Sequence, residues 1–313
     1  MKRDALLVFS FLLAGGCSGL MAEGNEPAPS ASSIGTPEAA TPGEVIPIAL
    51  PPPATSTPTR TPVPSPSPTI ACNAFPATME ATTYPAVAVP GEVPVRVFLP
   101  PCYGPRLERY PSVYLLHGYP YDETHWDDLG ADEIAAEGMD KQGWPDFLVV
   151  MPRLPDPIFR SSDGGPGSYE TEMIEALVPF IDGAYRTIPE PQARAIVGIS
   201  RGGIWALEIG LRHPDIFGTV AALSPSLSSN YPRPLYDPFN IVASSAVFPD
   251  HIALYAGDRE GDRRMIEKLS AALTEKGVDH TLQVVPGRHE DATWQALLPT
   301  LFEFLAAGWS STP

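Results

Sequence analysis

A serine flanked by glycines lies between a strand-like run and a helix-like run, an arrangement suited to acyl transfer. Ser200 stands in GISRG, residues 198–202, after the apolar run RAIVGIS and before a helix-patterned segment. This spacing is typical of a nucleophile elbow, a tight strand-to-helix turn that exposes the serine oxygen. The flanking glycines let the strand and the helix approach closely. An ordinary glycine-rich turn has the same pattern, so the remaining catalytic groups must decide between the two.

The base that a serine nucleophile requires is predicted from the placement of the histidines. An elbow serine is followed in the chain by its acid and its base, which lie after later strands. Of the six histidines, His289 lies in a loop after a late predicted strand, in VVPGRHED. The others precede the serine, end a helix or begin a strand: His117, His125, His213, His251 and His280. We predict His289 as the base; the alternative is a solvated loop histidine.

The acid that orients this base is predicted within IALYAGDREGDRR, after the penultimate strand. Asp258, Glu260 and Asp262 all lie there, and only one of them can face His289. Glu260 stands three residues after the strand-ending Gly257, and glutamate can serve as well as aspartate. We predict Glu260 as the acid and keep Asp258 and Asp262 as alternatives.

Two backbone N–H groups are predicted to stabilise the oxyanion that acyl transfer creates. One belongs to Arg201, the residue after the nucleophile. The other belongs to a loop after an early strand, and YLLHGYPYDETHW fits that position. There we predict the N–H of Tyr119, with Gly118 as the alternative. The competing interpretation of the His-Gly pair is an ordinary glycine turn.

Strand-like and helix-like segments alternate from Val93 onward. The apolar runs are SVYLLHG, FLVVMP, RAIVGIS, TVAALSP, IALYAGD and HTLQVVP. Their composition and their Gly, Pro or Asp boundaries predict strands buried on both faces of a parallel sheet. Helices are predicted in YETEMIEALVPFIDGAYR with a kink at Pro179, from Ser200 to His213, in DRRMIEKLSAALTEKG and in DATWQALLPTLFEFLAAG. The alternation predicts an α/β fold, a mostly parallel central sheet with helices on both faces.

The N-terminal region is predicted to be an export signal followed by a spacer. Lys2 and Arg3 precede ALLVFSFLLAGG, a run too short to span a bilayer comfortably but suited to a signal peptide. It ends at Cys17 in LLAGGC, similar to the lipobox in which bacterial lipoproteins are lipidated; a plain secretory signal is the alternative. Between Met21 and Ile70 lie 13 of the 39 prolines, which predicts an extended linker. The expected organisation is a signal peptide over 1–20, a linker over 21–70 and one folded domain over 71–313.

The remaining cysteines and the charge limit the partners. Export would place Cys72 and Cys102 in an oxidising compartment, where a disulfide between them is predicted; two free buried thiols are the alternative. No cluster of Cys and His has the spacing of a metal site. With a net charge of −17 and only four lysines, nucleic acid and anionic membrane surfaces are not expected partners. Contact with a membrane is expected only through the lipid on Cys17.

These motifs together resemble the esterase branch of the α/β-hydrolases that includes esterase D, bacterial feruloyl esterases and the antigen 85 mycolyltransferases. The resemblance rests on YPSVYLLHG, EMIEALVPFIDGAYR, AIVGISRGGIWALEIGLRHPDIFGTVAALSP and GVDHTLQVVPGRHEDATW. It implies an α/β-hydrolase fold and a triad of Ser200, His289 and Glu260. Family members usually place Asp after Gly-x-x at the acid position, whereas this chain has Glu260 after Gly257-Asp258-Arg259.

The expected function is that of an exported serine esterase that forms an acyl-enzyme on Ser200 and needs no cofactor. Its substrate would be a small-molecule or carbohydrate-linked ester. Two alternatives stay open: an acyltransferase of the antigen 85 kind, and a non-catalytic hydrolase-fold module that binds carbohydrate or protein. Specificity is expected in the insertion at 225–250 and in RLPDPIFRSSDGGPGS, while acyl and alcohol preference and oligomeric state cannot be inferred from these motifs.

Overall fold

The described part of the chain forms one mixed β-sheet. The computed structural model describes residues 75–161 and 163–310. The strands are β1 (Thr78–Pro85), β2 (Glu92–Leu99), β3 (Ser112–Leu116), β4 (Leu148–Pro152), β5 (Arg194–Ile199), β6 (Thr219–Leu223), β7 (His251–Gly257) and β8 (Thr281–Val285). They lie side by side in the order β1-β2-β4-β3-β5-β6-β7-β8.

Strands β3 to β8 pair in parallel, which places their carboxyl ends at one edge of the sheet. Strands β1 and β2 form an antiparallel ribbon, and β2 joins the sheet antiparallel to β4. The six predicted strand runs all form strands, and so does VPVRVFL in β2. Strand β1 was not predicted, because TMEATTYP is exposed at most of its positions and lacks an apolar run.

Helices connect the strands and cover both faces of the sheet. The α-helices are α1 (His125–Asp128), α2 (Ala131–Glu137), α3 (Tyr169–Thr171), α4 (Val178–Ala184), α5 (Arg201–Arg212), α6 (Pro238–Ser244), α7 (Arg263–Glu275) and α8 (Asp291–Ser310). Two π-helical segments, Gly138–Gln142 and Glu172–Leu177, and four 3₁₀ turns, Ile158–Arg160, Pro191–Ala193, Leu227–Ser229 and Pro234–Tyr236, complete the described elements.

Two hydrophobic layers enclose the sheet. On one face α5 and α7 bury Ile204 and Leu269 with strand residues such as Ile196. On the other face α8 buries Leu301 with the neighbouring strand residue Val197. Successive strand residues point to opposite faces, so a strand covered on both sides must be apolar throughout, as β3 to β7 largely are. The α/β architecture is therefore the one that the alternation predicted.

The helix predicted over 169–186 continues past Pro179 in an altered form and ends at Ala184. Between α3 and α4 the chain is π-helical over Glu172–Leu177, and Pro179 occupies the first turn of α4. In the first turn the absent N–H of proline costs no helical hydrogen bond. The structure thus shows a change of helix type just before Pro179, and the kink predicted there stays a prediction.

Several predicted features lie outside the described residues. These are the signal peptide, Cys17, the linker over 21–70 and Cys72. Cys102 is fully buried and follows β2, and its N–H donates to the carbonyl of Phe75 at 2.9 Å. Residue 75 is three positions after Cys72 in the sequence, so the predicted disulfide is compatible with this contact and stays a prediction.

Candidate active site

Ser200 lies in a strained turn between β5 and α5. Its backbone angles are φ 56° and ψ −115°, outside the regions that serine ordinarily adopts. A Cβ at Gly198 would lie 2.1 Å from the carbonyl oxygen of Gly202, and one at Gly202 would lie 2.4 Å from that of Leu116. Only residues without a Cβ fit at these two positions, so the GISRG spacing is a steric requirement of this turn.

His289 reaches Ser200 from the loop between β8 and α8. Its Nε2 lies 2.9 Å from the Oγ of Ser200, within hydrogen-bond distance. The imidazole packs edge-on against the indole of Trp294, with 5.1 Å between ring centroids. The indole Nε1 in turn donates to the Oγ of Ser224 at 3.1 Å, after β6. Helix α8 and β6 together hold the base beside the serine.

Glu260 is the carboxylate that the structure brings to this histidine. Its side chain is fully buried, and its Oε2 lies 3.6 Å from the Nδ1 of His289. That distance is an ion-pair contact and is longer than a hydrogen bond. Neither carboxylate oxygen has a hydrogen-bond partner among the described residues. Catalytic contacts of this kind commonly shorten when a substrate binds.

The two alternative acids are engaged elsewhere. Asp258 has a half-exposed side chain that accepts a hydrogen bond from the N–H of Gly287 at 2.9 Å, and this bond is the main cause that lowers its pKa. Asp262 accepts from the N–H of Ser228 at 2.5 Å, next to the start of α7. Among the three predicted carboxylates, the geometry therefore favours Glu260.

The loop predicted to complete the oxyanion hole lies against the nucleophile. A Cβ at Gly118 would lie 3.3 Å from the Cβ of Ser200, so the backbone after β3 passes directly beside the serine. Tyr119 follows and is exposed at the mouth of the site. Arg201 is the first residue of α5, where N–H groups have no acceptor within the helix. Both predicted donors thus come from backbone that borders Ser200.

His117 holds this loop in place, a role that sequence reasoning did not assign. Its Nε2 accepts from the N–H of Leu154 at 2.9 Å, so its Nδ1 carries the hydrogen that is donated to the carbonyl of Gly118, also at 2.9 Å. Burial lowers the pKa of His117 to about 4, which keeps the ring neutral at neutral pH. A neutral ring is the form that can make both contacts.

Ser226 is a second hydroxyl at the nucleophile that the sequence analysis missed. Its Oγ lies 3.0 Å from the Oγ of Ser200, and its N–H donates to the Ser200 carbonyl at 3.3 Å. Ser226 follows β6 in the motif LSPS, after the carboxyl end of the strand next to β5. Its position after a neighbouring strand was the available signal, because strand ends meet at the same edge of a parallel sheet.

The other predicted histidine positions lie in separate contacts. His125 stacks on Tyr121 with 3.7 Å between ring centroids. His213 contacts the carboxylate of Glu170 at 2.6 Å. His251 begins β7, and His280 lies 2.7 Å from a serine hydroxyl on α7. The ring of His125 also packs edge-on against the indole of Trp294, with 5.8 Å between ring centroids, so it borders the support of His289.

A cavity of about 400 Å³ opens beside the nucleophile. Its described lining residues are Tyr119, Phe159, Arg160, Ser200, Arg201, Ser226 and Ser229. Six of them come from the elbow and from the two loops in which the sequence analysis expected specificity, and Tyr119 comes from the loop after β3. The volume is in the range of cavities that bind small ligands.

The described residues contain no group of three or more His, Cys, Asp or Glu side chains placed to hold a metal ion. Among the same described residues, no helix has the length and apolar character needed to cross a bilayer.

Several known proteins are similar to this chain in sequence. The sequence profile of the Esterase family matches residues 86–305. An endo-1,4-beta-xylanase/feruloyl esterase of Xylanibacter ruminicola is 32% identical over 225 residues, 67% of this chain and 28% of the relative. Esterase Rv1288 of Mycobacterium tuberculosis is 33% identical over 138 residues, 42% of this chain and 28% of the relative. The chain thus spans less than a third of the length of these two relatives.

Solved structures share the fold at lower sequence identity. A ferulic acid esterase superposes with a TM-score of 0.68 at 22% identity, covering 75% of this chain and 99% of that one. The S-formylglutathione hydrolase FrmB of Staphylococcus aureus superposes with a TM-score of 0.64 at 15% identity, covering 74% and 99%. The sheet order, the elbow and these superpositions define an α/β-hydrolase.

Because the family profile covers more than half of the chain, the protein belongs to the Esterase family. This result confirms the predicted fold and the resemblance drawn from the motifs.

Proposed function

We propose that this protein is a serine carboxylic-ester hydrolase that works through an acyl-enzyme on Ser200. The observation that carries the proposal is the 2.9 Å contact between Ser200 Oγ and His289 Nε2 at a strained elbow, with Glu260 buried behind the histidine. An ordinary glycine-rich turn would need neither the strained serine nor the approach of a base.

In the first half of the reaction, Ser200 attacks the ester carbonyl while His289 Nε2 takes the hydroxyl proton. The N–H groups of Arg201 and of Tyr119 or Gly118 would stabilise the oxyanion that forms. Collapse of this intermediate breaks the bond to the alcohol, which leaves with the proton from Nε2. Glu260 holds the imidazole tautomer and stabilises the imidazolium through Nδ1.

In the second half, water takes the place of the alcohol. His289 removes a proton from the water as its oxygen attacks the acyl-enzyme, and then returns the proton to Ser200 Oγ as the acid leaves. The products are one carboxylic acid and one alcohol, so the balanced reaction needs no oxidant, reductant or cofactor. Relatives named as feruloyl esterases make hydroxycinnamoyl esters the first substrates to test.

The test is pre-steady-state hydrolysis of p-nitrophenyl acetate and methyl ferulate by the purified protein and by Ser200→Ala. We expect a burst of one product equivalent per site from the wild type, and a loss of kcat of about 10³-fold or more in the variant. Circular dichroism of the variant checks that its fold is retained. Near-wild-type turnover by Ser200→Ala would contradict the proposal.

The two alternative functions, an acyltransferase and a non-catalytic binding module, would give different results in the same experiment. An acyltransferase would transfer the acyl group to an added sugar faster than to water. A binding module would show neither a burst nor labelling of Ser200 by a fluorophosphonate probe.

We also propose that the protein is exported and anchored through Cys17. The support is the signal-like run and the lipobox-like LLAGGC in the sequence. Replacement of Cys17 by serine should move the protein from the membrane fraction to the soluble fraction. An unchanged membrane fraction would contradict the anchor.

A further inference from the structure

The hydroxyl of Ser226 contacts the nucleophile directly, and the proposed ester hydrolysis assigns it no role. The Oγ of Ser200 lies 2.9 Å from the Nε2 of His289 and 3.0 Å from the Oγ of Ser226. A serine hydroxyl donates one hydrogen bond and can accept two. At least one of the two contacts at Ser200 Oγ is therefore a hydrogen bond that this oxygen accepts.

The histidine fixes the direction of both hydrogen bonds. Glu260 Oε2 lies 3.6 Å from the Nδ1 of His289, so the ring hydrogen belongs on Nδ1 and Nε2 is an acceptor. The hydroxyl of Ser200 then donates to Nε2, and the hydrogen in the second contact comes from Ser226. Ser226 is thus a donor to the oxygen that attacks the ester and later carries the acyl group.

The chain that leads to Ser226 is fixed on two sides. The N–H of Ser224, two residues earlier, donates to the carbonyl of Tyr255 on β7 at 2.8 Å. Pro225 packs against the start of α5, where a Cβ at Gly203 would lie 3.2 Å from the Cβ of the proline. Strand β7 and helix α5 therefore both determine where Ser226 lies.

The chain after Ser226 is also tied to its surroundings. The carbonyl of Ser226 accepts from the Oγ of Ser229 at 3.2 Å, and the amide oxygen of Asn230 accepts from the Nη1 of Arg201 at 3.3 Å. Ser226 itself is partly exposed and lines the cavity. Within the described residues, the hydrogen bond of its hydroxyl is the one with Ser200 Oγ.

The strength of this hydrogen bond changes during the proposed reaction. In the resting enzyme Ser200 Oγ belongs to a hydroxyl, whereas in the acyl-enzyme it is the bridging oxygen of an ester, a weaker acceptor. During deacylation the bond between Oγ and the acyl carbon breaks, the electron pair stays on Oγ, and His289 Nε2 supplies the proton. The hydrogen bond from Ser226 therefore strengthens between the acyl-enzyme and the transition state of its hydrolysis.

We propose that Ser226 is a catalytic residue, whose hydroxyl donates to Ser200 Oγ and speeds the release of the acyl group from that oxygen. This inference rests on the proposed function and concerns its second half. Ser226 keeps its own proton throughout, since the proton that Ser200 regains comes from His289. Acylation gains less from the same hydrogen bond, because the resting hydroxyl already accepts it before the attack.

The test measures the two halves of the reaction separately in the purified protein. The substrate is p-nitrophenyl trimethylacetate, whose bulky acyl group slows hydrolysis of the acyl-enzyme so that this intermediate accumulates. The release of p-nitrophenolate gives kcat/KM, which reports acylation. Rapid desalting then removes the excess ester, and the decay of the adduct mass on the intact protein gives the rate constant of deacylation.

We expect Ser226→Ala to lower the rate constant of deacylation by about tenfold, the size of a hydrogen bond to an oxygen that gains charge. Its kcat/KM should stay within about threefold of the wild-type value, the size of a weak neutral hydrogen bond. A displaced elbow would instead slow both halves, because both pass through a tetrahedral intermediate held by the same groups. The difference between the two effects thus separates a direct role of the hydroxyl from a structural one.

Two companion variants complete the comparison. A thiol is a weaker donor of similar size, so Ser226→Cys should have a deacylation rate constant between those of the wild type and Ser226→Ala. It also carries the test if the alanine variant does not fold. Ser228 is exposed in the same turn and contacts Asp262 through its backbone N–H, so Ser228→Ala should keep both rate constants.

A deacylation rate constant that falls no more than kcat/KM does in Ser226→Ala overturns the inference, while ester hydrolysis itself stands. Absence of the acyl adduct from the wild type contradicts the proposed function, and the role of Ser226 then falls with it. The two failures are distinguishable, because the adduct is measured before its decay is followed.

Discussion

At the scale of single residues, the burial of Glu260 governs the chemistry of the base. A fully buried carboxylate without hydrogen-bond partners among the described residues is costly unless a positive charge forms next to it. In the proposed mechanism, that charge forms on His289 each time the histidine takes a proton. Glu260 therefore stabilises the imidazolium more than the neutral ring, which is what transition-state stabilisation requires.

Replacement of Glu260 by Gln should lower kcat for ester hydrolysis by about 10³-fold, because the imidazolium loses its counter-charge and the tautomer of His289 is no longer fixed. The measurement is steady-state kinetics on p-nitrophenyl acetate. Asp258→Asn and Asp262→Asn are the matched controls and should cost less than about tenfold, since the asparagine amide oxygen can still accept the backbone hydrogen bond that each aspartate accepts. A larger loss in either control than in Glu260→Gln would assign the acid role to that aspartate.

Residue types and order pointed to Ser200, His289 and Glu260, and the structure places these three side chains next to one another, while their catalytic roles stay a prediction. They were not sufficient for Ser226 or for the side chain of Arg201. Those contacts depend on the path of the insertion after β6, and no local periodicity specifies that path. The structural role of His117 was missed for a similar reason. The N–H that donates to its Nε2 belongs to Leu154, which follows another strand.

At the scale of elements, the strand ends and the start of α5 fit together without room for side chains. Replacement of Gly202 by Ala would place a Cβ 2.4 Å from the carbonyl oxygens of Leu116 and His117, both backbone atoms that cannot move independently. We expect a loss of stability of about 3 kcal/mol or more and a loss of turnover, because the elbow and the oxyanion loop must separate. Chemical denaturation and esterase assays measure the two effects.

Gly183→Ala on α4 is the control for this substitution. Nothing lies within 4 Å of a Cβ at Gly183, and alanine favours a helix. The control should be neutral or slightly stabilising and should keep full activity. A Gly202→Ala variant as stable as this control would mean that the elbow is looser than the backbone geometry indicates.

The strands of the sheet core were predictable because they are apolar on both faces, and α5, α7 and α8 because of their spacing and end signals. The edge strand β1 was not predictable, since most of its side chains are exposed or partly buried and it contains no apolar run. The π-helical segment before Pro179 was also not predictable, since it depends on how the helix packs rather than on its composition.

At the scale of the whole molecule, a buried carboxylate on α5 links stability to pH. Glu208 is fully buried, and burial together with the nearby charge of Glu170 raises its pKa to about 9. Glu170 itself has a pKa lowered to about 2, because hydrogen bonds from His213 and Arg212 outweigh its own burial. Glu208 is therefore protonated and neutral in the folded protein at neutral pH.

The unfolded chain releases the proton of Glu208 near its ordinary pKa of 4.5, whereas the folded protein keeps it up to about pH 9. Between these values the folded state binds more protons, so the free energy of unfolding falls as the pH rises. From pH 5 to pH 8.5 we expect Glu208 to account for a decrease of a few kcal/mol, on the order set by a shift of several pKa units. In Glu208→Gln, this contribution to the fall in the free energy of unfolding should be absent.

Denaturant titrations at the two pH values measure the effect, and Glu275→Gln on the exposed surface of α7 is the matched control. The control should keep the wild-type slope of stability against pH. An identical slope in Glu208→Gln would show that the folded protein ionises Glu208 near its ordinary pKa.

His289 follows Ser200 and Glu260 in the chain, and its support Trp294 lies on α8, the last of the described helices. During synthesis on the ribosome, a chain that has not yet released α8 carries the nucleophile and the oxyanion loop but lacks the base. Such a nascent chain cannot hydrolyse esters, however well its first strands have folded. Under the proposed mechanism, catalytic activity would begin only after α8 has docked on the sheet, so the onset of activity would signal that the domain has completed its folding.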